Sequence, residues 1–259
     1  MEIGVSSSCF YPAHTETGVD QLALLGVKCV ELFLNTFQEL EEPYTCALRR
    51  SLDAAGMQVV SFHPFTSGME TFFFSTDYDR RLEDGIALYR RLFAAAAGYG
   101  AKVFVFHGDY KASPFPFERY CENFGRLSAV AREYGLTLCQ ENVVRCRCGS
   151  IENIRRMRQL LGDQVHFVLD LKQAVRSGED VFEMCRTMGP ALAHVHISDN
   201  APGRDCLPPG QGSFDFPRLF AQLRELSYRG AVILELYRNN FKDPEELVRS
   251  VALLRELCQ

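Results

Sequence analysis

The hexapeptide KVFVFH at residues 102–107 is the clearest of the short apolar runs that decide the fold of this chain. Valine and phenylalanine stand side by side in it without polar alternation, as in a parallel strand that is covered on both faces. Runs of this kind recur at residues 3–8, 28–33, 57–62, 102–107, 136–141, 165–170, 192–197 and 231–236. The sequence therefore predicts eight buried strands.

Segments with helical spacing of apolar residues separate these runs. We predict helices at residues 19–25, 44–55, 77–98, 117–134, 151–161, 181–188, 216–226 and 245–257. Eight strands that alternate with eight helices are the pattern of a (β/α)₈ TIM barrel, here a single α/β domain over residues 1–259. A doubly wound sheet is the alternative, but no G-x-G-x-x-G turn follows the first strand.

The composition narrows the class of protein and its partners. With 47% hydrophobic and 24% charged residues, the chain has the composition of an ordinary soluble globular protein. Its net charge of -5 provides no basic excess for a phosphate backbone, so we expect no nucleic-acid partner. The acidic N-terminus does not match a signal peptide, and no apolar stretch is long enough for a membrane span. We therefore expect a cytoplasmic protein without membrane association, and homo-oligomerisation stays open.

Six consecutive predicted strands carry metal-ligand side chains at or near their carboxyl ends. In a barrel these ends meet at one rim, where catalytic groups gather. Adjacent carboxylates are costly to bury unless a cation compensates them, which favours a bound divalent metal over the alternative of simple polar strand ends. Oxygen ligands with one imidazole favour Mn²⁺, with Mg²⁺, Co²⁺ or Zn²⁺ as alternatives. The side chains are those of His63, His107, Glu141, Asp170, His194, His196 and Glu235.

Two of these histidines share one strand. Side chains alternate along a strand, so His194 and His196 lie on the same face. His196 is nearer the carboxyl end and is the expected ligand, whereas His194 is expected one layer deeper as a hydrogen-bonded residue.

Several segments together resemble the xylose isomerase-like TIM barrel superfamily, which holds sugar isomerases and epimerases, inosose dehydratases and endonuclease IV-type enzymes. The segments are SFH at 61–63, FVFHG at 104–108, CQEN at 139–142, VLD at 168–170, HVHISDN at 194–200, LPPGQG at 207–212, FDF at 214–216 and ILE at 233–235. The resemblance implies one metal held by Glu141, Asp170, His196 and Glu235. It also implies that Glu141 and Glu235 are the catalytic acid and base.

The reaction implied is isomerisation or epimerisation of a small ketose, aldose or related polyol ketone. One glutamate would remove a proton next to a carbonyl to give an enediolate. A dehydratase or lyase would begin with the same step, so elimination stays an alternative, and a non-catalytic sugar sensor is a third. The absence of an obvious phosphate-binding turn favours an unphosphorylated sugar.

Five residues are candidate substrate contacts: His63, His107, Lys172, Gln173 and Arg204. Lys172 comes two residues after Asp170 and would point to the same side if the strand continued. A solvated surface lysine is the alternative for Lys172, and a surface-loop cation for Arg204. Gln173 stands where many sugar enzymes of the superfamily have a histidine that binds the substrate. The resemblance therefore does not identify the substrate of this chain.

The endonuclease branch of the superfamily binds three zinc ions and needs further ligands. At the corresponding positions this chain has Gln173 and the tripeptide RDC at 204–206. These side chains cannot complete the third zinc site. Phosphodiester cleavage is therefore disfavoured.

Overall fold

A closed barrel of eight parallel strands forms the centre of the computed structural model, which describes all 259 residues. The first seven strands are β1 (Glu2–Ser6), β2 (Cys29–Phe33), β3 (Gln58–His63), β4 (Val103–Phe106), β5 (Thr137–Glu141), β6 (His166–Asp170) and β7 (Leu192–Ile197). β8 (Asp199–Ala201) and β9 (Arg204–Leu207) form a separate antiparallel hairpin, and β10 (Ala231–Leu234) closes the barrel between β7 and β1. The predicted single-domain (β/α)₈ barrel is confirmed.

Ten α-helices connect and surround the strands. They are α1 (Thr15–Leu24), α2 (Glu42–Ala54), α3 (Ser67–Phe74), α4 (Asp79–Gly98), α5 (Phe117–Glu133), α6 (Ile151–Leu161), α7 (Leu171–Ser177), α8 (Val181–Met188), α9 (Phe216–Glu225) and α10 (Glu245–Leu257). Eight of them correspond to the predicted helices. The two additional ones, α3 and α7, have only eight and seven residues, which is too short for a clear periodic pattern. α7 follows β6 directly, and α3 begins four residues after the end of β3.

The start of α7 corrects one sequence-based assumption. Asp170 ends β6, and its Oδ1 atom accepts a hydrogen bond of 3.0 Å from the backbone N–H of Gln173. The aspartate is therefore the N-cap of the helix that follows. The chain does not continue as a strand to Lys172, so the alternation used to orient that lysine does not apply.

Side chains of the barrel strands alternate between two environments. Phe104 and Phe106 of β4 point outwards, where their rings pack against Tyr89 of α4. Val105 packs instead with Cys139 and Val168 in a small separate cluster inside the barrel. Strand alternation places the side chains two residues further along on this inner face at the carboxyl end. That face carries the candidate functional residues.

No helix of the chain combines the length and apolar composition that crossing a membrane requires.

Candidate metal centre and active site

Four of the predicted residues converge at the carboxyl end of the barrel. Glu141, Asp170, His196 and Glu235 each offer one ligand atom, and these atoms all lie within 4.8 Å of one another. Asp170 and His196 are register partners on the adjacent strands β6 and β7. The first three residues are buried, and the Glu235 side chain is 13% exposed. The barrel thus builds the cluster that the strand-end pattern predicts.

Glu31 of β2 orients the histidine of this cluster, and sequence reasoning missed it. Its buried Oε2 atom accepts a hydrogen bond of 2.8 Å from Ser61 and lies 3.1 Å from Nε2 of His194 and 2.9 Å from Nε2 of His196. With Nε2 facing Glu31, Nδ1 of His196 faces the cluster. A carboxylate behind a ligating imidazole fixes its ring and strengthens its basicity. The available signal was a single acid inside the apolar strand CVELF.

The electrostatics of His196 show that the cluster attracts positive charge. Nδ1 of His196 lies 3.3 Å from Glu141 Oε1 and 3.3 Å from Glu235 Oε2. Burial alone would lower the pKa of His196, but Glu31 and Glu235 raise it well above its ordinary value. The raised pKa favours the charged imidazole, which carries a proton on Nδ1 as well as on Nε2. A cation bound at Nδ1 would take the place of the Nδ1 proton.

Lys172 lies in the same cluster, so its interpretation as a solvated surface lysine is wrong. The residue is 4% exposed, and its Nζ atom contacts Asp170 Oδ2 and lies 2.5 Å from Glu235 Oε2. Burial disfavours the ammonium, but the two carboxylates raise the pKa of Lys172 well above its ordinary value. Burial also disfavours the Glu235 carboxylate, yet Lys172 and His196 lower the pKa of Glu235 to about 2. Both groups are therefore charged at neutral pH.

His63 and His107 form a second group beside Glu141. Their Nε2 atoms are 3.1 Å apart, and His107 Nε2 lies 2.9 Å from Glu141 Oε2. Burial lowers the pKa of His63. Burial acts in the same direction on His107, but Glu141 outweighs it and raises the pKa of His107. Glu141 therefore favours the protonated form of His107 more than that of His63, and both imidazoles can exchange hydrogen bonds with a substrate.

A cavity of about 210 Å³ opens above these residues. Six of the predicted residues line it, and six further ones were not foreseen. The predicted residues are His63, His107, Glu141, Lys172, Gln173 and Glu235. The further lining residues are Ser8, Tyr11, Phe33, Arg145, Leu236 and Tyr237. Asp170 and His196 are not lining residues and lie beneath the floor.

Arg145 and Gln173 have different roles in the wall. The Arg145 guanidinium donates a hydrogen bond of 3.1 Å to Ser67 Oγ, lies 5.7 Å from the centre of the Tyr110 ring and forms no ion pair with a carboxylate. The Gln173 side-chain oxygen accepts a hydrogen bond of 3.0 Å from the backbone N–H of Val144. Gln173 thus braces the loop after β5, whereas Arg145 has donors left for a substrate.

The structure does not bring Arg204 to the cavity. The residue lies on β9 with an exposed side chain, forms no side-chain hydrogen bond and is not a lining residue. Its neighbour Asp205 pairs instead with Arg176, which donates a hydrogen bond of 2.7 Å to the Tyr237 hydroxyl. The hairpin therefore reaches the site through Asp205. Arg204 is at the protein surface, which agrees with its interpretation as a surface cation and not with a substrate contact.

The residues of the cluster fit a divalent cation. Three carboxylates and one imidazole nitrogen form the kind of oxygen-rich donor set that Mn²⁺ or Mg²⁺ accepts. Glu141 Oε2 is buried and forms no hydrogen bond of good geometry, and His107 Nε2 at 2.9 Å is its ion-pair partner. A buried carboxylate oxygen of this kind is costly unless something compensates it.

A larger depression of about 610 Å³ between α2 and α4 offers no comparable chemistry. Three of its five charged lining residues belong to exposed surface ion pairs, Arg49 with Asp53 and Arg91 with Glu41, each at 2.9 Å. We therefore place the candidate active site at the smaller cavity.

Comparisons with known proteins agree with this architecture. A family model described as xylose isomerase-like TIM barrel matches residues 19–257. An uncharacterized protein of Mycobacterium tuberculosis is 24% identical over 275 residues, which cover 95% of this chain and 92% of that protein. The 3-dehydro-D-guloside 4-epimerase of Escherichia coli is 32% identical over 144 residues, 54% of this chain and 44% of the enzyme. The inosose dehydratase of Clostridium perfringens is 25% identical over 150 residues, 51% and 50% of the two chains.

Solved structures share the whole fold. A D-psicose 3-epimerase crystallised in the presence of D-fructose aligns with a TM-score of 0.80 at 18% identity, over 100% of this chain and 99% of the other. The 3-keto-D-glucoside 4-epimerase of Escherichia coli aligns with a TM-score of 0.76 at 21% identity, over 99% of both chains. At identities this low, the structural similarity shows a shared fold and nothing more.

Proposed function

This chain belongs to the xylose isomerase-like TIM barrel family, and from that premise we propose that it is a divalent-metal-dependent epimerase or isomerase of a small sugar. The observation that carries the proposal is the cluster of three carboxylates and one imidazole beneath a small polar cavity. The similarity to a sugar 4-epimerase supports it.

The metal would be held by Glu141, Asp170, His196 and Glu235. When bound, a divalent ion there supplies Lewis acidity, which polarises a substrate carbonyl and acidifies the adjacent carbon. We favour Mn²⁺ because the donor set combines carboxylate oxygens with one nitrogen, with Mg²⁺, Co²⁺ and Zn²⁺ as alternatives.

Glu141 and Glu235 are the proposed acid and base. They project from different sides of the rim, because β5 and β10 are separated by β6 and β7 in the barrel. Both carboxyl groups have a pKa below the ordinary value, so each is a carboxylate at neutral pH and can accept a proton. One glutamate removes the proton from the carbon next to the carbonyl. The opposite glutamate, also a carboxylate at the start, must first take up a proton from solvent; delivery of that proton to the other face of the carbon gives the epimer, and the first glutamate releases the abstracted proton to solvent. Return of the abstracted proton by the first glutamate to the neighbouring carbon gives the isomer.

The remaining wall of the cavity would bind and orient the sugar. His63 and His107 can exchange hydrogen bonds with hydroxyl groups, and Tyr11, Phe33 and Tyr237 provide aromatic faces. A volume of about 210 Å³ is below the roughly 300–1,000 Å³ of sites for drug-sized ligands, which favours a small substrate. We propose an unphosphorylated sugar, a cytoplasmic location and no nucleic-acid partner, as expected from the sequence.

A dehydratase or lyase is the second candidate, favoured by the similarity to inosose dehydratase. The first step would be the same proton abstraction. A leaving group on the next carbon would then depart and take the proton that the first glutamate has abstracted, which returns that glutamate to its carboxylate form. The two candidates differ in their products, so product analysis separates them.

The deciding experiment measures solvent-deuterium exchange into a panel of ketoses, keto-inositols and keto-glycosides with added Mn²⁺. We expect Glu141→Gln and Glu235→Gln each to abolish exchange, because the amide cannot accept the proton. The exposed Glu256→Gln is the matched control and should retain the wild-type rate. Undiminished exchange in both site variants would refute the mechanism. Metal binding without exchange on any substrate would indicate a sugar sensor.

A further inference from the structure

We propose that the Lys172 ammonium and a divalent metal ion compete for the same two carboxylate oxygens, so that Lys172 sets how tightly this chain binds its metal. The inference rests on the proposed function, because it concerns the same cluster. It adds to that cluster a resident cation, supplied by the first turn of α7.

Only one oxygen of Asp170 is free to face the cluster. Oδ1 accepts the capping hydrogen bond of 3.0 Å from the Gln173 backbone N–H, which ties it to the start of α7. Oδ2 is the atom on the side of His196 Nδ1, at 3.8 Å. Lys172 Nζ contacts this same Oδ2.

Glu235, like Asp170, has one oxygen held by a hydrogen bond and the other facing His196. Its Oε1 atom accepts a hydrogen bond of 3.3 Å from the Ser8 hydroxyl, and its Oε2 atom lies 3.3 Å from His196 Nδ1. Lys172 Nζ is 2.5 Å from Oε2. The two oxygens that a metal on His196 would use are therefore the two that already contact the ammonium.

The lysine has no alternative anion within the barrel. Its side chain is 4% exposed, and its ion pairs are with Asp170 and Glu235 alone. A buried ammonium is stable only when it is paired, so these contacts persist while the metal is absent. A second cation near the same oxygens is repelled by the first, and each weakens the hold of the carboxylates on the other.

The Lys172 ammonium affects both the metal-free protein and the uptake of a metal. Without a metal, Lys172 balances part of the negative charge of the cluster and stabilises the folded protein. During metal uptake, the ion must displace the ammonium from Oδ2 and Oε2 or share these oxygens with it. Either way, the affinity for a divalent ion is lower than the same ligands would have beside a neutral side chain.

The test compares the wild-type protein with Lys172→Met, which keeps an unbranched side chain one heavy atom shorter and removes its charge. Mn²⁺ alone is the probe, and its dissociation constant is measured by calorimetry after removal of metal with a chelator. We expect Lys172→Met to bind Mn²⁺ at least about tenfold more tightly than the wild type, which corresponds to about 1.4 kcal/mol. Lys102→Met, which removes an exposed lysine immediately before β4, is the matched control and should bind as the wild type does.

Thermal unfolding is the second readout and does not depend on activity. In excess chelator, Lys172→Met should melt below the wild type, and Mn²⁺ should raise its melting temperature more than that of the wild type. If Lys172→Met fails to fold, Lys172→Gln gives the same comparison, because its amide is neutral and can donate hydrogen bonds.

The outcomes separate this inference from the proposed function. Equal or weaker Mn²⁺ binding by the variants, with binding by the wild type intact, overturns the competition and leaves the proposed function standing. If neither the wild type nor the variants bind Mn²⁺, Co²⁺ or Zn²⁺, the competition and the proposed metal dependence both fail.

Discussion

Glu31 Oε2 lies 2.9 Å from His196 Nε2, and the two residues are 165 positions apart in the sequence. This contact crosses the interior from β2 to β7, strands that are not neighbours in the barrel. It turns Nδ1 of His196 towards Glu141, Asp170 and Glu235. Glu31 is therefore a positioning residue for the proposed metal ligand.

Glu31→Gln should weaken metal binding. The amide removes the charge that holds the imidazole and strengthens its basicity, and changes of this kind cost about 10–100-fold in metal affinity. Mn²⁺ calorimetry measures the effect, with the exposed Glu133→Gln as the control. Glu31→Gln is expected to raise the dissociation constant for Mn²⁺, whereas Lys172→Met is expected to lower it. An unchanged dissociation constant would show that Glu31 does not act through His196.

The metal-free protein should lose stability in acid through Glu235. Its folded pKa of about 2 is below the unfolded value of about 4.5, so its stabilising contribution is complete above the unfolded pKa and is lost as the pH falls towards 2. The shift corresponds to about 3 kcal/mol. Urea unfolding in chelator should show Glu235→Gln less stable than the wild type at pH 7, with the gap closing below pH 4. A gap that stays constant with pH would contradict the assignment, and Glu256→Gln should show no gap.

Arg145→Ala should raise KM severalfold and leave kcat nearly unchanged. The guanidinium lines the cavity without a carboxylate partner and is placed to bind substrate oxygens rather than to transfer protons. Arg204→Ala is the matched control, because Arg204 does not line the cavity and its loss should change neither constant. A larger effect from Arg204→Ala than from Arg145→Ala would reverse the two assignments. Steady-state kinetics, with a substrate identified by the deuterium-exchange panel, measure KM and kcat for both variants.

Gly212→Ala should destabilise the loop after β9 by about 1–3 kcal/mol. An added Cβ would lie 2.3 Å from the backbone oxygen of Asn200 and 2.4 Å from Asp199 Oδ1. The Asp199 carboxylate holds this loop by accepting hydrogen bonds of 2.9 Å from the backbone N–H groups of Gly210 and Gly212. Gly68→Ala is the control, since its Cβ would meet nothing within 4 Å. Equal melting temperatures for the two variants would contradict the close approach.

The pattern of the sequence was sufficient for the barrel and for four of the clustered side chains. Uninterrupted apolar runs specify strands that are covered on both faces, and parallel strands bring their carboxyl ends to one rim. A side chain at the end of such a run, such as Glu141 or Asp170, can therefore be placed without coordinates. The roles of these residues remain proposals.

Only the tertiary structure decided the surroundings of the cluster. Lys172 lies inside it because Asp170 caps a helix and turns the chain, a local choice that overrides strand alternation. Glu31 reaches His196 because the barrel closes, which no pattern within one segment can show. Arg204 lies away from the cavity because β8 and β9 pair with each other. The apolar pattern determines where strands begin and end, whereas contacts between distant segments and turns made by single side chains determine which charges meet.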